Sequence, residues 1–463
     1  MENQESPSLF DRFNAWLRTS VMLKLLVIGF LVLILLIPAN MLTSLIYERE
    51  TTRNTATAEV SSKWGGEQFV SGPILTLPYQ ENYQDDKGNK LLRTRYAHFL
   101  PENLSIDGNV QPEKRYRGIY VVMLYNTKLT MTGSFKKPDI EVLGLRPESI
   151  LWNKAFLSVG ITDLKGIKDT IKLSVNAQPL LVNPGVPSKD IVASGVSAPV
   201  RLDREQYDFK CELNLNGSTQ LSFLPLGKKT TVSLTSPWPS PSFIGDFLPD
   251  KRQITEMGFK ATWQVLQYNR NFPQQGLGAF IGATSMDRHL ENKEIDGAAA
   301  VPASTSITSF GVKLLLPVDE YKKTMRSAKY EVMFILITFI AFFFVEILNQ
   351  KRIHPIQYLL VGFAVCLFYL LLLSISEHLS FNWAYLIGCG VILSLITFYV
   401  KHVFQNNRLT LVFSSVLALL YGFFYSLLQL EDYSLLLGST GLVLILGSVM
   451  YLTRNINWYK AYN

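Results

Sequence analysis

The sequence predicts a membrane α-helical bundle of six transmembrane helices joined to a large extracytoplasmic, mainly-β, sandwich-like domain. Three observations predict it: six long apolar runs, Lys and Arg confined to alternate short connectors, and a long polar segment filled with short β-type runs. Hydrophobic residues make up 48% of the 463, and charged residues only 17%, below the quarter usual in soluble domains, so charge is locally scarce. The net charge of +7 comes without a basic run interleaved with aromatics, so no nucleic-acid partner is expected. Part of the charge flanks the apolar runs.

In chain order, residues 1–20 read as a cytoplasmic N-terminal segment and 21–46 as a transmembrane anchor. About twenty residues at ~1.5 Å each cross the hydrocarbon layer. A mostly polar stretch precedes this run and no small-x-small cleavage site follows, which favours a retained anchor over a cleaved secretory signal. Residues 330–453 read as a five-helix transmembrane bundle, with spans near 332–348, 356–375, 381–400, 409–428 and 433–452, and 454–463 as a cytoplasmic tail. Lys351, Arg352, Lys401 and Arg408 fall in alternate connectors, while SEHLSFN and QLED contain no Lys or Arg. The positive-inside rule then places a multi-pass chain in the bacterial inner (cytoplasmic) membrane with both termini cytoplasmic. Lys322, Lys323, Arg326 and Lys329 crowd the second span from the outer side, but a long translocated segment obeys that rule weakly.

Residues 47–329 read as the periplasmic β-rich domain. Runs such as IYVVMLYNTKLTMTGSF, FKCELNLNG, TTVSLTSPW, FKATWQVLQY and FGVKLLLPV are β-branched or aromatic and bounded by Gly, Pro and Asn, as in antiparallel strands of a sandwich. Asn216-Gly217 reads as a hairpin turn, and residues 85–90 (DDKGNK) as another. Residues 51–63 suit a helical stalk, and 283–306, rich in Ala, Ser and Thr, a surface loop. Cys211 is the sole thiol of this domain, so no internal disulfide is available to it, and a buried apolar role is favoured over a reactive one.

The strings SSKWGGEQFVSGPILTLPY, RYRGIY, SPWPSPSFIGDFLP and GFKATW, followed by RSAKYEVMFILITF, HPIQYLLVGFAVCLFYLLLLSISEH and LLQLEDYSLLLGS, resemble those of the CreD family of bacterial inner-membrane proteins. The resemblance covers nearly the whole chain in order. It implies an anchor span, a periplasmic domain and a hydrophobic C-terminal bundle. It also implies a role in cell-envelope integrity, envelope stress and tolerance to colicin-type agents, under control of a sensor-kinase pair, with no established catalytic residue.

No phosphate loop, HExxH, CxxC pair or GxSxG elbow occurs, so no catalytic residue, cofactor or metal is expected. His98 reads as an ordinary half-buried strand histidine. Trp238 and Phe243, on a loop stiffened by Pro237, Pro239 and Pro241, are the candidate partner-binding residues for an envelope protein or glycan; packing in the core is the competing reading. Gly65 suits a turn with positive φ, and Arg115 and Arg117 suit structural ion pairs. Glu346 is expected to pair with Lys351 or Arg352, and no charge is expected in mid-span, which weakens a transport reading. Arg326 and Lys329 are the candidate basic side of a docking contact between the domain and the bundle, with Glu377, Glu431 and Asp432 as its acidic side. Membrane lipids are the competing partners of those basic groups. The function expected is non-enzymatic support of envelope integrity and stress tolerance through the periplasmic domain; an exporter of a small molecule or lipid, or a periplasmic enzyme on envelope sugars, are the alternatives.

Overall fold

The computed structural model describes residues 21–84, 90–281, 308–315, 320–349, 353–430 and 433–454. The chain forms two compact units, Met1–Arg53 with Val318–Asn463, and Asn54–Pro317. The first is helical: the earlier part of α1 (Val21–Trp64), then α2 (Glu320–Lys329), α3 (Glu331–Leu348), α4 (Pro355–Ser376), α5 (Phe381–Phe404), α6 (Asn407–Gln429) and α7 (Ser434–Thr453). The second holds β1 (Gln68–Gln84), β2 (Lys90–Phe99), β3 (Asn103–Arg117), β4 (Tyr120–Lys136), β5 (Phe156–Ile161), β6 (Lys172–Val175), β7 (Gln178–Leu180), β8 (Asn183–Pro184), β9 (Gly195–Pro199) and β10 (Gln206–Ser218). It continues with β11 (Gln220–Phe223), β12 (Lys229–Ser236), β13 (Pro241–Gly245), β14 (Lys251–Thr255), β15 (Gly258–Leu266), β16 (Gln275–Leu277) and β17 (Phe310–Leu314).

The strands form two sheets. One has nine strands along β13-β17-β11-β1-β5-β9-β8, with β2 and β16 branching from β1; the other has eight, ordered β14-β15-β12-β3-β4-β10-β6-β7. Their inner faces share one apolar cluster, to which β10 gives Tyr207, Phe209, Cys211, Leu213 and Leu215 by strict alternation and β17 gives Phe310, Val312 and Leu314. Most pairs are antiparallel, but β1–β11 and β12–β3 run parallel, which differs from the antiparallel pattern read in the sequence. Both parallel pairs join strands far apart in sequence, which leaves ample chain for the crossover that parallel pairing needs.

Asn216-Gly217 makes no hairpin. Both residues lie inside β10, paired with Asn126 and Tyr125 of β4, and the chain turns at Thr219 (φ 62°) to cross into the other sheet. Gly217 is there for space, because a Cβ would collide with the Tyr125 ring. The turn expected at 85–90 falls largely outside the described residues, although Gln84 and Lys90 pair across it, and the loop 283–306 lies outside them entirely. Residues 51–63 are helical, within α1. Gly65 at its end has φ 144°, where a Cβ would meet the Asn216 carbonyl oxygen at 2.7 Å, so the tight approach requires glycine.

The helical unit packs an aromatic core: the Phe334 ring lies 4.4 Å from Tyr421 and 4.6 Å from Phe424, and Phe368 lies 5.1 Å from Tyr421. Apolar side chains also point outward, Leu419 being 75% exposed and Phe398 69%, as a lipid-facing surface requires. Among the described residues four helices, α1, α4, α5 and α6, are long and apolar enough to cross a membrane, and α2 with α3 makes a fifth if that pair, bent by 46°, is one span.

Candidate functional site

The proline-rich loop is where the sequence placed binding, and its aromatics are occupied by packing. Trp238 is 7% exposed, and its indole N–H is shared between the carbonyls of Ser240 (3.1 Å) and Leu315 (3.0 Å). Phe243, partly buried, meets Trp263 edge-on at 5.6 Å and Phe259 at 6.1 Å. A partner-binding role thus finds no open indole face. The physical reason is that three prolines fix the loop in a conformation that turns its aromatics onto the sheet, where their burial stabilises most.

Beside the loop lies a shallow groove of about 440 Å³, lined by Asn109, Gln111, Thr235, Gln253, Thr255 and Lys260 among others. Strand register explains it. Asn109 on β3 pairs with Thr235 on β12, Thr235 with Lys260 on β15, and Lys260 with Gln253 on β14, so all four share one row on the outward face. The row extends the other way through Lys128 of β4 to Asn214 of β10, and the next row holds Gln111, Asn126 and Asn216. Six amide side chains therefore form a band across the eight-stranded sheet: Asn109, Gln111, Asn126, Asn214, Asn216 and Gln253. Within it the Gln111 amide donates to Asn109 (2.6 Å), and the Asn126 amide donates to Asn214 (2.8 Å) and Asn216 (3.0 Å). Met257, 87% exposed, adds an apolar rim. An amide offers both a donor and an acceptor without charge, so this band matches hydroxyl-rich or peptide-like ligands. Sequence reading missed it because its members lie on separate strands; the available signal was Asn or Gln at outward strand positions.

His98 is buried, with Nδ1 2.9 Å from the Thr76 hydroxyl and Nε2 3.2 Å from Asp190. The bond from His98 holds the Asp190 carboxyl below its usual range. Both ring nitrogens are engaged in a structural pin between β1, β2 and the loop that carries Asp190. Burial pushes the Cys211 thiol up to about 12, which removes its thiolate at neutral pH. Arg115 pairs with Glu113 (2.8 Å) and lies over the Trp64 ring at 4.2 Å, while Arg117 pairs with Glu59 (3.1 Å).

In the helical unit, Glu346 is held by Lys24 of α1 (2.5 Å), the Tyr358 hydroxyl (2.8 Å) and the Ile353 amide (3.1 Å). The pairing expected with Lys351 or Arg352 falls on residues outside the described ones; among the described residues Lys24 is the basic partner. The reason is depth: Glu346 is 1% exposed and needs a partner within the bundle. Of the docking candidates, Glu377 accepts from the Tyr321 hydroxyl (3.1 Å) and pairs with Arg49 at 3.8 Å. Arg326 is half-buried and Lys329 exposed, both on α2, which belongs to the helical unit rather than to the β unit; Glu431 and Asp432 lie outside the described residues.

Apolar helices of crossing length, together with a two-sheet β unit, define a membrane protein that carries a large β domain. The family model described as "Inner membrane protein CreD" matches residues 20–459. The chain is 34% identical over 435 residues to Inner membrane protein CreD of Escherichia coli (strain K12), covering 92% of this chain and 91% of that protein. The chain therefore belongs to the CreD family of inner-membrane proteins. Among solved structures, an M1 zinc metallopeptidase mutant from Deinococcus radiodurans, bound to a Tyr-Ser-Ala substrate, aligns over 39% of this chain and 41% of its own, at 11% identity and a TM-score of 0.18. A score that low carries no argument about fold or activity.

Proposed function

We propose that this protein is a six-span component of the bacterial inner membrane, with both termini cytoplasmic and the β unit periplasmic. In this reading it supports envelope integrity and stress tolerance without catalysis, by holding a neutral envelope glycan on its amide band. Family membership supports the location, and the alternating Lys and Arg connectors support the topology. The amide band is the observation that carries the binding reading: six uncharged side chains in two register rows suit sugar hydroxyls, and the residues lining its groove include no carboxylate for acid–base work.

The test is a pair of substitutions, Asn109→Ala with Gln253→Ala, in the full-length protein. Two lost hydrogen bonds at about 1 kcal/mol each weaken glycan capture roughly tenfold or more. Co-sedimentation with isolated cell-wall sacculi reads this directly, and survival under envelope stress reads its consequence. Unchanged sedimentation of the double variant at normal abundance would remove the amide band from the account.

A further inference from the structure

Among the described residues, the helical unit leaves three buried polar side chains without a hydrogen-bond partner, Glu331, Thr338 and Tyr421, and Glu331, the first residue of α3, is the one carboxyl among them. Its depth follows from what faces each end of the α2–α3 pair. Thr324 on α2 lies 3.5 Å from Ser376, the last residue of α4. Glu346, near the far end of α3, receives the Tyr358 hydroxyl close to the other end of α4. Between them Phe334 packs against Phe368 and Tyr369, and Glu331 is faced by the thiol of Cys366. Cys366 stands at the middle of α4, a helix long enough to cross the membrane, so Glu331 sits at mid-depth, at the 46° break between α2 and α3. Where α2 and α3 form one bent span, the break that makes Glu331 look like a helix start places it within that span.

Glu331 is 1% exposed, and neither carboxyl oxygen has a hydrogen-bond partner among the described residues. The titratable groups facing it from the packed helices are Cys366 and Tyr369 of α4, with Tyr421 of α6 beyond Phe334; none carries positive charge. The Cys366 thiol is a weak donor and falls short of hydrogen-bond geometry. Cys366 also lines a cavity of about 820 Å³ between α1 and α4, mostly apolar in its lining but carrying Asn40, Ser44 and Glu48, spaced to share one face of its α1 wall. A bare carboxylate in such surroundings is too costly to persist, and a proton is the smallest ligand that removes the charge. The described residues hold no cluster of three or more His, Cys, Asp or Glu that would suit a metal ion instead.

We propose that Glu331 is a proton-binding site of the helical unit, its carboxyl protonated in the resting protein and exchanging that proton with water admitted through the cavity between α1 and α4. Release passes the carboxyl proton to a water oxygen and leaves a carboxylate; uptake is the reverse. The site is independent of the glycan reading, since it lies wholly within the helical unit.

Infrared spectroscopy of the purified full-length protein at neutral pH tests it. The expected spectrum contains the carbonyl stretch of a protonated carboxylic acid, lost in Glu331→Gln and kept in Glu346→Gln. A second reading is thermal stability against pH. Glutamine copies the neutral carboxyl, so Glu331→Gln matches the parent protein in acid and exceeds it progressively as the pH rises and the parent is forced to bury charge. Absence of a protonated-acid band that Glu331→Gln removes, or a Glu331→Gln protein less stable than its parent at neutral pH, would overturn the proposal.

Discussion

The two units of this protein bury polar atoms on different terms. In the β unit, buried polar side chains are tied into the chain around them: His98 between Thr76 and Asp190, the Tyr125 hydroxyl on the Gln220 carbonyl (2.7 Å), and the Trp263 indole on the Phe247 carbonyl (3.2 Å). Two hydroxyls, Ser71 and Thr127, and part of the Arg270 guanidinium are its exceptions among the described residues. The helical unit holds Glu346 with three partners, and leaves the Thr338 and Tyr421 hydroxyls and, unlike the β unit, a whole carboxyl, Glu331, without a hydrogen bond among the described residues. Strands bring backbone acceptors to every side chain, whereas helices spend theirs internally, so a polar side chain between helices must find another side chain or change its charge.

Substitutions that strip these arrangements sharpen the contrast. The largest effect is expected at Trp263, fully buried between the sheets: Trp263→Ala costs about 3–5 kcal/mol, and its measure is the denaturant midpoint of the β unit's near-ultraviolet signal. Next comes Lys24→Met, which strands the Glu346 carboxylate. It lowers thermal stability by about 3 kcal/mol, and adding Glu346→Gln recovers most of that loss. If Lys24→Met is silent, the ion pair is not what holds Glu346.

A smaller effect is expected at Asp190. Its carboxyl titrates below the usual range through the bond from His98, so its contribution is present above the unfolded value of about 3.9 and fades as the pH falls through the lowered native value. Acid unfolding of Asp190→Asn should therefore be flatter than the parent's across that window. The smallest expected effect is none: Cys211, Cys366 and Cys389 are all free and buried, so reductant should leave the thermal midpoint unchanged. A fall on reduction would reveal a disulfide to another molecule.

Much of the fold was legible because it rests on periodicity. The alternation in FKCELNLNG marks β10, and the apolar runs mark α1 and α4 to α6. The long polar strand β3, with Asp107, Gly108 and Pro112, was not legible as a strand, because its outward face carries the residues that propensity assigns to loops. Asn216-Gly217 misled for a related reason: the glycine serves the Tyr125 ring and not a turn. The candidate site was the least legible part. Trp238 announced itself by residue type but packs inward, while the amide band exists only once register sets β3, β4, β10, β12, β14 and β15 side by side. Glu331 escaped because the 46° break between α2 and α3 reads, in sequence, as the start of a helix.

The claim on which the functional reading rests most is that the β unit faces the periplasm while the connector between α5 and α6 faces the cytoplasm. Because the three native thiols are buried, single cysteines report cleanly. Tyr116, 71% exposed on β3, and Gln405, exposed after α5, are suitable positions. With a membrane-impermeant maleimide on intact cells whose outer membrane admits it, Tyr116→Cys should label fully and Gln405→Cys only after lysis. Labelling of Gln405→Cys in intact cells, with Tyr116→Cys protected, would contradict the account.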